Sequence, residues 1–301
     1  MVSPVSPLSD VDLRQLKIFR AVVDHNGFTN AEDSLGLSRS TISAQMAALE
    51  TRLGLKLCHR GRSGFSLTEH GHKIYAEAIK CFAALENFRN EVGAMRGRLV
   101  GELRIGAVDA FVENPNCHLS DAIALFNERV PEVHLTVMVM SANQIATALA
   151  NRQIEVGLVA NQPMNAAVQL EQLFYEEQNL YCGERHELFL KPASELTLDR
   201  ISVAAHARRG YTIATAYNSL FANAPSATAY SMEGLAHLIL SGRYLSFLPK
   251  HYAQRWVDEG QMRALRADIV NFRIGLCIAH FPVSTLSHVA HAFRDCVLET
   301  H

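Results

Sequence analysis

The sequence predicts a mixed fold: an N-terminal all-α winged helix-turn-helix, a long linker helix, and a two-lobed α/β domain. Three observations carry this. Residues 13–67 hold three short apolar-periodic stretches broken by glycines, then a basic stretch without acids. Ile74 to Met95 repeats its apolar positions in alternating steps of four and three. Beyond residue 98, strand-like and helix-like runs alternate. The expected boundaries are 1–67 for the head, 68–97 for the linker helix, 98–162 with 268–301 for one lobe, and 163–267 for the other.

At 301 residues and 49% hydrophobic, the chain is long enough for more than one core. Its formal charge is −2, unevenly spread. Residues 1–98 hold 13 Lys and Arg against 10 Asp and Glu, a net +3, and the rest hold 15 against 20, a net −5. A basic head on an acidic body suits a head that meets an anion. The opening MVSPVSPLSD has neither the basic nor the apolar region of a signal peptide, and no apolar run approaches the ~20 residues of a membrane helix. The six cysteines form no C-x-x-C pair, so neither a disulfide framework nor a zinc knuckle is expected. The expectation is a cytoplasmic chain with no metal and no cofactor.

In the head, Leu13, Leu16, Phe19, Ala21 and Val23 predict a first helix stopped near Gly27. Thr29 and Glu32 have the spacing of a capping box, which predicts a second helix from Asn30 to about Leu35. After Gly36, Ser38 is placed to cap a third helix carrying Ile42, Met46, Leu49 and Leu53 on one face, with Gly54 as its stop. Two short helices joined by a Gly-containing turn make a helix-turn-helix, whose second helix enters a DNA major groove by its N-terminal end. Here that end reads SRSTIS, short hydroxyls and one forked cation. Arg52, Lys56, Arg60 and Arg62 follow with no acid between Glu50 and Glu69, and Gly61 and Gly64 allow a turn. This is the pattern of a β-wing laid over phosphates. Singly, each feature reads as an ordinary cap or a solvated face, and only their order along the chain carries the reading. The candidate DNA contacts are Thr29, Ser38, Arg39, Ser40, Thr41, Ser43, Gln45, Arg60 and Arg62.

Between Gly71 and Gly93 there is neither Pro nor Gly, and Ile74, Ala78, Cys81, Leu85, Phe88, Val92 and Met95 form a heptad seam. Such a seam either packs on its own body or pairs with a second chain, and its length favours the pair. A symmetric dimer presents two heads to two half-sites.

In the body, ELRIGAV, VHLTVMVM and IEVGLVA read as buried strands around helices HLSDAIALFNERVP and NQIATALANR, which argues a parallel sheet. NQPMN suggests a crossing into the second lobe. There NLYCG, ISVAAH and YLSFLP read as strands and MEGLAHLILSGR as a helix, followed by NFRIGLCIAHF and a helix over 285–300. Ligands of such sheets sit past strand ends, at helix N-termini. That rule selects Asp109, Ser141, Asn143, Arg208 and Ser231 as candidate effector contacts, with His206 beside them, although a plain helix cap is the simpler reading of Ser141 or Asn143 and a solvated cation that of Arg208.

The order of head, long helix and two α/β lobes resembles the LysR-type transcriptional regulators. The residues carrying the resemblance are LRQLKIFRAVVDHNGFTNAEDSLGLSRSTISAQMAALETRLGLKLCHRGRSGFSLTEHG, 13–71, nearly the whole family signature. It implies a linker-helix homodimer, assembly into a homotetramer on a double-stranded DNA operator, and a regulatory domain resembling periplasmic binding proteins that takes a small-molecule effector. Arg39, Ser40 and Ser43 match positions that face DNA in the family, and Arg60 matches the wing arginine. Ala44 stands where the family often has Arg, which implies one contact fewer. Cys58 stands where Phe is usual, which implies looser wing packing.

Other classes find less support. G-x-S-x-G, H-E-x-x-H, G-x-x-x-x-G-K-[ST] and G-x-G-x-x-G are all missing from the chain, so an enzyme is not expected. His288 and His291 sit three apart on the last helix, a spacing that more often marks a surface than a metal site. A small-molecule binding protein, or a regulator sensing redox state through Cys117, Cys182 or Cys277, is the alternative.

Overall fold

The structure, a computed structural model, describes residues 7, 9–59, 64–95, 98–210 and 219–301. It divides into two compact units, Met1–Glu86 and Asn87–His301.

In the first unit, α1 (Asp10–Asp24) opens on a capping box of Ser9 and Asp12 and buries Phe19 and Val22. It stops where Asn26 and Gly27 take positive φ. Helix α2 (Glu32–Leu35) starts later than expected and lacks the Thr29 capping box. Its cap is Ala31, fully buried, and Thr29 supplies only a backbone carbonyl to Glu32 N–H at 3.2 Å. Helix α3 (Arg39–Leu53) has the expected ends. Ser38 Oγ accepts from Thr41 N–H at 3.3 Å, and Gly54 closes it in the left-handed conformation. Ile42, Met46 and Leu49 point into a core shared with Phe19 and Leu57.

Strands β1 (Cys58–His59) and β2 (Ser66–Leu67) are the antiparallel feet of the wing. Glu50 Oε1 accepts from the N–H groups of Leu57 and Cys58 at 2.8 and 3.3 Å, tying the wing to α3. The Cys58 side chain is fully buried in the head core. Arg52 does not belong to the wing's charge. It pairs with buried Asp12 and donates to Pro7 O at 3.0 Å, an internal strut from α3 to the start of α1.

Helix α4 (Glu69–Met95) starts at Thr68, whose Oγ1 donates to Lys56 O at 2.6 Å and accepts from Gly71 N–H at 2.9 Å. The heptad seam divides along it. Ile74 and Ala78 pack into the head core together with Phe82, so that end is spent within the chain. Leu85, Phe88 and Met95 are 42, 67 and 84% exposed.

The second unit contains β3 (Gly101–Ala107), α5 (Leu119–Arg129), β4 (Val133–Val139), α6 (Ala142–Ala150), β5 (Val156–Ala160) and β6 (Gln169–Gly183). Then come α7 (Leu198–Val203), β7 (Ala207–Arg209), β8 (Ala227–Ala229), α8 (Met232–Leu240), β9 (Ser246–Pro249), α9 (Lys250–Asp258), β10 (Met262–Ala264), β11 (Asn271–His280) and α10 (His288–Thr300). A seven-stranded sheet runs β10-β6-β11-β5-β3-β4, with β9 also on β6. It is mixed rather than parallel. β3 pairs parallel with β4 and β5, but β11 runs antiparallel to β5 and to β6. The long strands β6 and β11 carry the sheet from one half of the unit to the other. Strand β4 is a sheet edge with Val139 71% exposed, not the buried strand its apolar run suggested. The first half of ISVAAH, Ile201–Val203, is the end of helix α7, since Thr197 Oγ1 accepts from Arg200 N–H at 3.4 Å and caps a turn that its β-branched residues disguise.

Candidate nucleic-acid interface and ligand crevice

On the head, the α1–α2 turn, the start of α3 and the wing feet enclose a cleft of about 240 Å³ that contains Thr29, Arg39, His59 and Gly64. Phe28 and Phe65 meet edge to face at 6.0 Å and hold the wing against the turn. Ser38, Arg39, Ser40 and Thr41 are exposed at the start of α3. Ser38 Oγ lies 2.9 Å from both Ser40 Oγ and Thr41 Oγ1, so the hydroxyls form one patch around the helix N-terminus. Backbone N–H groups and hydroxyls at such an end suit phosphate oxygens. Ser43 is half-buried one turn on. Gln45 faces elsewhere, its Oε1 accepting from Gln15 Nε2 of α1 at 3.3 Å. Arg60 and Arg62 lie outside the described residues.

In the second unit, the loop between β3 and α5 reaches across to α8 and α9. Met232 N–H at the start of α8 donates to Asp109 Oδ2 at 2.5 Å, and His251 Nε2 lies 3.1 Å from Ala110 O. Arg255 pairs with Glu113 at 3.5 Å. Ala110 takes φ +65, a left-handed value uncommon for a residue with a Cβ, at the point where the loop turns toward α9.

Beside this clasp is a crevice of about 470 Å³, lined among others by Asn114, Asn116, Glu176, Lys250, His251 and Arg273. Its wall carries a polar network. Glu176 accepts from Gln178 Nε2 at 2.5 Å and from Asn114 Nδ2 at 3.3 Å, and Gln178 Oε1 accepts from the Arg209 guanidinium at 2.7 Å. All four residues are buried. Burial pushes the Glu176 carboxyl above the usual range, with Arg209 and His251 opposing that shift.

None of the five effector candidates lines this crevice. Asp109 and Ser231 do come together, both at the N-terminus of α8, where Ser231 Oγ accepts from Gly234 N–H at 3.1 Å. Ser141 closes a capping box with Gln144 on α6, and Asn143 is exposed on the same helix. Arg208 points outward on β7, and its neighbour Arg209 points in. His206 is buried, stacked on Phe221 with ring centroids 3.8 Å apart, and burial lowers its pKa. Sequence reasoning missed Asn114, Glu176, Gln178, Arg209 and His251. The one available signal was the pleat of β7, which turns adjacent residues to opposite sides.

The cysteines argue against thiolate chemistry. Burial pushes the Cys117 and Cys277 thiols up and Cys182 to about 12. On α10, His291 is engaged by Asp295 at 2.9 Å. Among the described residues no helix is long and apolar enough to cross a membrane.

A basic helix-turn-helix head followed by a mixed α/β unit defines a DNA-binding regulator, and comparison with known proteins specifies which kind. Residues 13–72 match the family described as bacterial regulatory helix-turn-helix protein, lysR family, and residues 96–301 match the LysR substrate binding domain. The HTH-type transcriptional activator BauR of Pseudomonas aeruginosa is 35% identical over 274 residues, covering 90% of this chain and 89% of that one. The RuBisCO operon transcriptional regulator of Allochromatium vinosum is 24% identical over 295 residues, covering 96% of each. Full-length CbnR, solved in complex with its target DNA, shares the fold at a TM-score of 0.64 and 20% identity, covering 96% of this chain and 99% of that one. The chain belongs to the LysR family of transcriptional regulators. It is a regulator and not an enzyme.

Proposed function

We propose that this regulator binds its operator as a homodimer or a homotetramer and that a small effector in the 470 Å³ crevice alters that binding or the transcription that follows. The observation supporting the effector reading is the β3–α5 loop. One short segment carries Asp109, Ala110 and Glu113 across to the other half of the unit and lays Asn114 on the crevice wall. An occupant that prefers one arrangement of the halves shifts the equilibrium between them, and a coupling of ~1–3 kcal/mol is enough for a switch. The proposed lobes are 98–162 with 268–301, and 163–267. The raised thiols favour a diffusible organic effector over a redox signal. Operator contact is assigned to Thr29, Ser38, Arg39, Ser40, Thr41 and Ser43 on the head and to Arg60 and Arg62 on the wing. The regulator acts in the compartment that holds the DNA, the cytoplasm.

The test uses full-length protein and an operator located by genome-wide mapping of bound DNA. Asn116→Trp fills the crevice from an exposed position on its rim. A metabolite that stabilises the wild type and changes its footprint should do neither in this variant. Equal stabilisation of both proteins would place the effector site elsewhere.

A further inference from the structure

The crevice holds a buried acid whose hydrogen bonds among the described residues are all to neutral groups. Glu176 is 6% exposed, and both of its hydrogen bonds among the described residues come from neutral amides. His251 Nε2 is 3.8 Å from Oε2 and already lies 3.1 Å from Ala110 O. The Arg209 guanidinium stops one residue short, on Gln178, and its buried Nε has no partner among the described residues. A carboxylate withdrawn from water is costly, and here two amide donors, a histidine at 3.8 Å and a guanidinium one residue beyond offset only part of that cost. Proteins retain such a group where something outside the fold completes it. Here the carboxylate faces a cavity of the size that takes small ligands. The rim has the opposite character. Lys250 is 3.5 Å from Glu177, and exposed Arg273 has no ion-pair partner among the described residues.

We propose that the crevice recognises its ligand through a protonated primary amine held by the Glu176 carboxylate. This rests on the effector reading above and specifies the chemistry of that site. An ammonium supplies the charge-assisted donors that Gln178 and Asn114 do not, and exposed Arg273 and Lys250 line the same crevice. A carboxylate on the far end of the same molecule then meets cations at the rim. The inner end of the crevice selects for the amine, and the rim tolerates or adds to affinity for an anion.

The experiment compares four probes of matched length, butylamine, 4-aminobutyrate, butyrate and butanol, on full-length protein at constant ionic strength by thermal shift and calorimetry. The two amines should raise Tm and bind, and butyrate and butanol should not. Glu176→Gln should weaken amine binding about 10- to 100-fold, the range of a lost charge-assisted hydrogen bond. Glu176→Asp keeps the charge and should keep the preference for amines at lower affinity. Glu176→Gln removes a buried, only partly compensated charge, so the unliganded variant should melt higher than wild type at pH 7, which also reports that it folds. Butyrate or butanol binding as well as the amines overturns the proposal, as does the failure of both amines to bind. Undiminished amine binding in Glu176→Gln overturns it too. If butyrate alone binds and Asn116→Trp abolishes that binding, the amine assignment falls and the crevice stands. If amines bind Asn116→Trp unchanged, the crevice itself is the wrong place.

Discussion

Gly71 lies in the first turn of α4, and a general rule predicts that replacing it with alanine stabilises the helix by up to ~1 kcal/mol. The structure predicts the opposite sign. A Cβ at Gly71 falls 1.9 Å from Leu57 O, 2.9 Å from Leu57 C and 3.1 Å from Leu67 Cδ2. Ordinary contact begins near 3.4 Å, so the carbonyl must retreat by about 1.5 Å. It is not free to do so. Leu57 O accepts from Thr68 N–H at 3.0 Å, and the Leu57 side chain is fully buried in the head core. Overpacking of this kind costs ~1–3 kcal/mol, which exceeds the helix gain. Gly71→Ala should therefore destabilise the head by about 1–2 kcal/mol and displace the wing feet. Tryptophan fluorescence is blind to this change, because the chain's one tryptophan, Trp256, lies on α9 in the other unit. Hydrogen exchange of the full-length protein resolves it. Amides of α1 and α3 should lose protection about 5- to 30-fold while those of β5 and β11 keep theirs. Operator affinity should fall with wing displacement. Equal or greater protection of the head in Gly71→Ala would refute the close approach as the reason for glycine.

Two further outcomes test other parts of the molecule. Leu85→Asp sets a charge in the exposed half of the α4 seam, so sedimentation should show lost dimers and gel shifts a lost operator complex; unchanged association would mean that the seam does not pair chains. The other concerns Glu171, which accepts two hydrogen bonds of 2.6 Å from Arg294 and one from buried His280. The Arg294 hydrogen bonds, with those of His280, hold its carboxyl below the usual 4.5. A depressed carboxylate pKa contributes stability above the unfolded value, and that contribution is lost as pH falls through the folded one. Urea midpoints of wild type and Arg294→Met should therefore differ at pH 7, and the gap should shrink as pH falls below 4.5; a gap of the same size at every pH would show that the pair acts by packing alone.

What the sequence made legible was local. Ser38 and Gly54 bound α3 because a hydroxyl acceptor and a left-handed glycine are signals that need no tertiary partner. The run from β3 to β5 followed from apolar strands alternating with capped helices. Strand β6 was largely invisible, since QLEQLFYEE reads as polar and becomes a strand only through its pairing with β11 a hundred residues on. The seam was visible as a period, but a heptad does not say which chain it faces, and Ile74 and Ala78 turned out to face their own head. Nor does a sequence show that Asn114, Glu176, Gln178, Arg209 and His251 meet. Each is an ordinary polar residue until β6, β7 and α9 are assembled around it.

The effector candidates expose an ambiguity in reading sites from strand ends. A helix N-terminus attracts any oxygen, and the nearest one usually belongs to the protein. Ser141 and Ser231 are taken up in this way, each capping its own helix three residues on. Asp109 is different. It caps α8 from 123 residues away, so its bond forms only when the β3–α5 loop lies across the two halves of the unit. The same loop carries Ala110 to His251, Glu113 to Arg255 and Asn114 to Glu176. A molecule entering the crevice touches the last of these contacts first. Under the proposed function it would act on the other three through a short loop whose Ala110 is held in a left-handed conformation. A cap is poor evidence for a ligand contact when it is local, and better evidence for a moving part when it is made across the molecule. On that ground the proposed function assigns Asp109 to the clasp that an effector would work against, and Glu176 to the surface it would meet.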